Sequence, residues 1–228
     1  MRSIIAYVYR HRFEVFLVTQ LFILFGSLFF PHDIYEYVLL PILFLLNIIA
    51  GVLLVSRNRK LMWFLISLFL ISTVVFGSSM VTKSESGNYI LARMSIYFIF
   101  HIIVAWQIIK QVWREKKVDK TVIMGLMSGY ISLGFLAFFM FMSIELVNPN
   151  SFSGVLLENN DFGLRVDAIM YYAYITLLTI GYGEIVPVTP IAQKAAILVG
   201  LVGQFYIAII TTVVVAKYIN QAVIKNSK

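Results

Sequence analysis

One stretch of this 228-residue chain has residue types and spacing that could do chemistry: Thr176-Leu-Leu-Thr179-Ile180-Gly181-Tyr182-Gly183-Glu184. Two glycines alternate with larger residues. Glycine takes up left-handed backbone conformations about as readily as right-handed ones, so alternate glycines let successive peptide units turn their carbonyls the same way. Stacked carbonyl oxygens can replace the water shell of a cation and hold it dehydrated. Other chemistries have little material. There is no cysteine, which removes disulfides, thiolate metal sites and cysteine nucleophiles. The three histidines, His11, His32 and His101, form no pair with metal-ligand spacing, and no nucleophile–base pair stands out. The chain reads as a non-enzyme without an organic cofactor.

The elements that must hold such a stretch belong to a membrane protein. Hydrophobic residues make up 61% of the chain and charged ones 13%, and the mean hydropathy is +0.90. A soluble domain carries about 25% charged residues, so the polar surface here is too small to wrap a soluble core. A spanning helix needs about 20 mostly apolar residues. Six such runs are present: Phe13–Phe30, Tyr35–Val55, Leu61–Met80, Tyr89–Lys110, Thr121–Val147 and Pro190–Ile219. The fold class is therefore an all-α polytopic membrane protein with six transmembrane helices. No small-residue cleavage site follows the first apolar run, so a removable signal is not expected.

The net charge of +7 points to one face of a bilayer rather than to nucleic acid. With both termini cytoplasmic, 14 of the 18 basic residues fall inside, and only Lys83, Arg93, Arg165 and Lys194 fall outside. The outer face sums to minus four, a field that draws cations toward it. Residues 1–12 place Ile4, Ile5, Val8 and Tyr9 at helical spacing beside three arginines, as an interfacial helix or a simple basic flank would. The charged run 113–120 reads as a cytoplasmic linker between a four-helix segment, 13–112, and a second unit, 121–219, with residues 220–228 as a short tail.

Between the last two spans the chain changes character. Residues 148–166 are polar, and 167–178 are apolar but too short to span, which suggests a re-entrant helix. Asp167 is its expected N-cap. Its C-terminal carbonyls would then face a central cavity and favour a cation there.

With that helix, two flanking spans and Pro187-Val-Thr189 behind it, the stretch Thr176–Glu184 resembles the filter signature of the potassium channel superfamily, over roughly residues 121–219. The resemblance implies K⁺ sites formed by the carbonyls of Thr179, Ile180, Gly181 and Tyr182 with the Thr179 hydroxyl, in a filter spanning 179–183 that Gly183 completes. It implies a homotetramer, since each chain holds one pore unit. Tyr171 and Tyr172 stand where the family often has a tryptophan pair, and Glu184 stands where aspartate is commoner. Tyr172 is the expected partner of Glu184, and with Thr176 these residues would support the filter. Glu145 matches a glutamate that ties the outer pore together, and an interfacial surface charge fits it equally well. Gly203 falls at the family's hinge position, although close helix packing explains a glycine too. Ile207, Thr211 and Val215 follow at i+4 steps as the inner pore lining, with Val215 as an apolar gate. Gly125 and Gly129 read as a packing face.

Six spans with a pore in the last pair resemble the voltage-gated plan, but the gating charges are missing. The fourth span offers only Arg93 near its outer end and Lys110 at its inner end. Each charge moved across the membrane contributes only about 2.3 kcal/mol per 100 mV, so 13–112 is read as a voltage-sensor-like domain without a conventional sensor. His101 lies mid-span, as a neutral histidine bonded to a neighbouring helix or as a functional group. Only Gln221–Lys228 follows the last span, which leaves no ligand-binding module there. The resulting expectation is a passive, K⁺-selective, tetrameric channel of prokaryotic type in the plasma membrane (the inner membrane of a bacterium), surrounded by lipid. The alternatives are a non-selective cation channel, a K⁺ transporter, or a non-conducting regulatory subunit.

Overall fold

The structure, a computed structural model, describes residues 11–31, 34–55, 58–82, 87–114, 118–158 and 162–226. Residues 1–10 of the expected interfacial helix and 115–117 of the linker lie outside these. Helix α1 (Arg12–Phe25) tightens into a 3₁₀ turn at Gly26–Leu28, and a π-helical turn at Tyr35–Leu39 leads into α2 (Leu40–Val55). Helices α3 (Arg59–Thr82), α4 (Gly87–Arg114) and α5 (Lys120–Val147) follow. Then come the short strand β1 (Phe152–Ser153), helix α6 (Phe162–Leu177), strand β2 (Val186–Pro187) and α7 (Pro190–Asn226). The last helix runs seven residues past Ile219, so 220–226 are helical.

Among the described residues, three segments are long and apolar enough to cross a membrane: Met94–Gln111 in α4, Val122–Val147 in α5 and Pro190–Asn220 in α7. Of the first two expected spans, Tyr35–Val55 is helical throughout, π-helical over its first five residues, and the first is α-helical over Arg12–Phe25. At about 1.5 Å per residue, α1 and α2 rise about 21 and 24 Å, against a hydrocarbon core of about 30 Å. The first apolar run continues past α1, where Gly26 begins a 3₁₀ turn.

Local signals start the later helices. The Asp119 carboxylate accepts the Val122 N–H at 3.0 Å, capping α5. Thr189 does the same for α7, its hydroxyl accepting from Ala192 at 3.4 Å, with Pro190 at the first helical position.

Contacts gather the chain into two compact units, Met1–Ser84 with Ile103–Ile131 and Ala216–Lys228, and Glu85–Ile102 with Ser132–Val215. In the first, α2 packs on both α1 and α3. The buried Asn47 amide donates to the Thr19 hydroxyl at 2.9 Å, joining α1 and α2 inside apolar surroundings. Glu14 pairs with Lys120 at 3.2 Å and with His11 at 2.8 Å. The second unit has an aromatic core of Phe135, Phe138, Phe139 and Phe141 on α5. His101 is fully buried there, with ring contacts of 5.0–5.3 Å to Phe100, Phe135 and Phe139. Its Nδ1 lies 2.9 Å from the Tyr97 carbonyl, one turn back on its own helix rather than on a neighbour.

Candidate functional site

Helix α6 starts at Phe162, five residues before Asp167, which is exposed within the helix and is not its cap. An aspartate just before an apolar run looks like a cap in sequence. Here Phe162, Leu164 and Val166 already belong to the helix. Its other end is closed by two hydrogen bonds, Thr179 N–H to the Thr176 carbonyl at 3.0 Å and Ile180 N–H to the Ile175 carbonyl at 2.9 Å. This is the Schellman pattern, in which the left-handed residue is usually glycine. Here it is Thr179, at φ 56°. For a β-branched residue that is an outlier, costing about 1–2 kcal/mol.

The left-handed conformation then recurs at every second residue. Gly181 has φ 58° and Gly183 has φ 96°, while φ is not positive at Ile180 and Tyr182. The alternation expected for the glycines therefore begins two residues earlier, on a threonine. Added Cβ atoms at Gly181 or Gly183 would meet nothing within 4 Å. What these positions require is the conformation, not the space. Ile180 and Tyr182 are 47% and 69% exposed.

A hydrogen-bonded collar surrounds this segment. The Glu145 carboxylate, only 5% exposed at the end of α5, accepts four donors. Asn150 N–H lies at 3.0 Å and the Arg165 guanidinium of α6 at 3.1 Å from Oε1. The N–H groups of Ser151 and Phe152 lie at 2.9 and 3.2 Å from Oε2. A buried charge is tolerable when it is paired and hydrogen-bonded in this way. The loop it organises is tied to the chain beyond Gly183. The Ser151 carbonyl accepts Val188 N–H at 2.9 Å, its hydroxyl lies 3.1 Å from that of Thr189, and β1 pairs antiparallel with β2. At Gly154 a Cβ would lie 2.0 Å from the Glu184 carbonyl oxygen, so the loop passes too close for any side chain.

The two tyrosines divide their tasks in the opposite sense to that expected. Tyr171, not Tyr172, reaches Glu184, its hydroxyl 3.4 Å from the carboxylate. Adjacent residues on a helix point about 100° apart, and Tyr172 is the one turned inward. It is buried between Phe141 and Phe152, with ring centroids 5.1 and 5.3 Å away. Tyr172 and Thr176 also line an open pocket between α6 and the segment, with Thr179, Gly181 and Gly183 on its other side.

Along α7, Ala192, Ala195, Val199 and Gly203 form a buried stripe at helical spacing, and at Gly203 it meets the end of α6. A Cβ on Gly203 would lie 2.3 Å from the Leu177 carbonyl oxygen, and α7 runs on through this glycine as one helix. One residue later, the Gln204 amide Nε2 donates to the Thr179 hydroxyl at 2.9 Å. Ile207, Thr211 and Val215 continue along α7 as exposed residues, away from these contacts.

Three participants went unnoticed in the sequence: Arg165, Ser151 and Gln204. For Gln204 a signal existed, as it is the one amide in the otherwise apolar run Ala195–Ile210.

Residues 130–220 match the ion channel family. The match runs from within α5 through the collar, α6 and the Thr179–Gly183 segment into α7, and so covers every feature described above. Residues 130–220 are thus similar to an ion channel domain, and the apolar helices are long enough to cross a membrane. No curated protein and no solved structure matches the chain.

Proposed function

We propose that four copies of this chain form a passive, K⁺-selective pore, with Thr179–Gly183 as the selectivity filter. The observation that carries this reading is the run of positive φ at Thr179, Gly181 and Gly183 directly after the C-terminus of α6. A left-handed residue at every second position turns successive carbonyls toward one side. Four such strands would supply stacked oxygen rings from Thr179, Ile180, Gly181 and Tyr182, with the Thr179 hydroxyls below, and these would replace the water around K⁺. Non-helical backbone within a membrane must be buried in protein or line water, and the exposure of this segment in a single copy fits a strand awaiting three others.

Helix α6 is the re-entrant element in this reading, aiming its negative end at a central cavity. The exposed face of α7 with Ile207, Thr211 and Val215 lines the cytoplasmic half, where Val215 acts as an apolar gate and Gly203 allows bending. Both termini are cytoplasmic and the outer surface is negative. The four N-terminal helices face lipid and act without conventional voltage sensing. Flux from proteoliposomes tests this directly: K⁺ should leave and Na⁺ should stay. Equal loss of both ions would indicate a non-selective pore.

A further inference from the structure

The collar accounts for the outer end of the segment, but nothing in it touches Thr179, the residue whose conformation is most costly. Strained residues persist only where their surroundings over-determine them. Two contacts do so here besides the helix-closing bonds. The Leu177 carbonyl lies against Gly203, so close that any side chain would collide, and the Gln204 amide reaches the Thr179 hydroxyl at 2.9 Å. Both come from adjacent residues of α7, in a stretch where every neighbour of Gln204 is apolar, aromatic or glycine. The Gln204 amide is exposed in the single chain, and the Thr179 hydroxyl accepts its hydrogen bond.

We propose that Gln204 is a positioning residue for the innermost oxygen ring of the pore. This rests on the K⁺-channel reading above. An amide donor on one lone pair of Thr179 Oγ fixes the rotamer of that hydroxyl and leaves the second lone pair for a cation. The same bond ties the ring to α7, so bending of α7 at Gly203 would carry Gln204 with it and re-aim the hydroxyl. The innermost cation site is thereby coupled to the helix that gates the pore.

The test uses the full-length protein in planar bilayers, with cytoplasmic Ba²⁺ as the probe, because a doubly charged ion of nearly K⁺ size feels oxygen placement twice as strongly. Gln204→Met keeps the length and volume and removes the donor. The loss of one hydrogen bond per copy should weaken Ba²⁺ block about tenfold, while the reversal potential stays near that for K⁺. In a Thr179→Val background, the same substitution should add nothing. If either variant conducts too poorly, calorimetric titration of Ba²⁺ into the purified tetramer reads the same coupling. Block or affinity within twofold of the parent, or an equal loss in the Thr179→Val background, would overturn the inference and leave the channel reading intact. A parent that does not distinguish K⁺ from Na⁺ would remove both.

Discussion

The collar and the segment it surrounds are built on opposite principles. In the collar, one buried carboxylate satisfies four donors, and Ser151, Thr189 and the β1–β2 pair lock the outer loop to the chain beyond Gly183. In the segment itself, left-handed backbone alternates with exposed side chains; the Gln204 amide bonds to Thr179 at its inner end, and Tyr171 bonds to Glu184 just beyond its outer end. The loop beside the segment is thus held by a polar frame, and the segment's backbone carbonyls are left to face a cation. That division suits a cation path, because oxygens engaged with the protein could not replace an ion's water.

Substitutions can separate the two regions. Glu145→Ala should have the largest effect, since it leaves the buried N–H groups of Ser151 and Phe152 without their acceptor, at about 1–3 kcal/mol each. A large drop in the thermal midpoint of the purified protein is expected. A drop smaller than that of a surface control would show that the collar does not bear the load. Gly203→Ala forces a methyl group against the Leu177 carbonyl, for an overpacking cost of about 1–3 kcal/mol, and should reduce both stability and conduction. Unchanged melting would mean that α7 can shift freely away from α6.

Gly181→Ala meets no steric obstacle, so its cost of about 1–2 kcal/mol per copy is purely conformational. It should abolish selective conduction while the protein still assembles, and loss of assembly instead would place this segment among the structural elements. Tyr171→Phe removes a long, exposed contact to Glu184, and a stability change below about 1 kcal/mol is expected. Its readout is the rate at which current decays during steady recording, and no change there would exclude Tyr171 as a brace.

Much of this was legible in the residues. Gly181 and Gly183 announced the alternating backbone, because glycine is the cheap way to reach a positive φ. Thr179 did not, because its left-handed conformation is imposed by the closure of α6 and by α7, neither of which is a local signal. The start of α6 was misplaced for a related reason: the residues before Asp167 look polar, yet Phe162, Leu164 and Val166 carry the helix back by a turn. Glu145 stood between two readings until its donors were seen, and those donors are backbone groups that leave no mark in a sequence. Tyr171 and Tyr172 are chemically identical, and only the helical phase of α6 tells which faces Phe141 and which faces Glu184. The first apolar run was read as a full span, but apolar composition does not report where α1 passes into a 3₁₀ turn at Gly26.

Whether Thr179–Gly183 holds dehydrated K⁺ is read from the reversal potential of the purified protein in planar bilayers under opposed K⁺ and Na⁺ gradients, with Tyr182→Ala measured beside it. Reversal close to the K⁺ equilibrium potential is expected in the parent, with a shift toward zero in the variant. Reversal near zero in the parent, or K⁺ selectivity that survives intact in Tyr182→Ala, would contradict that expectation.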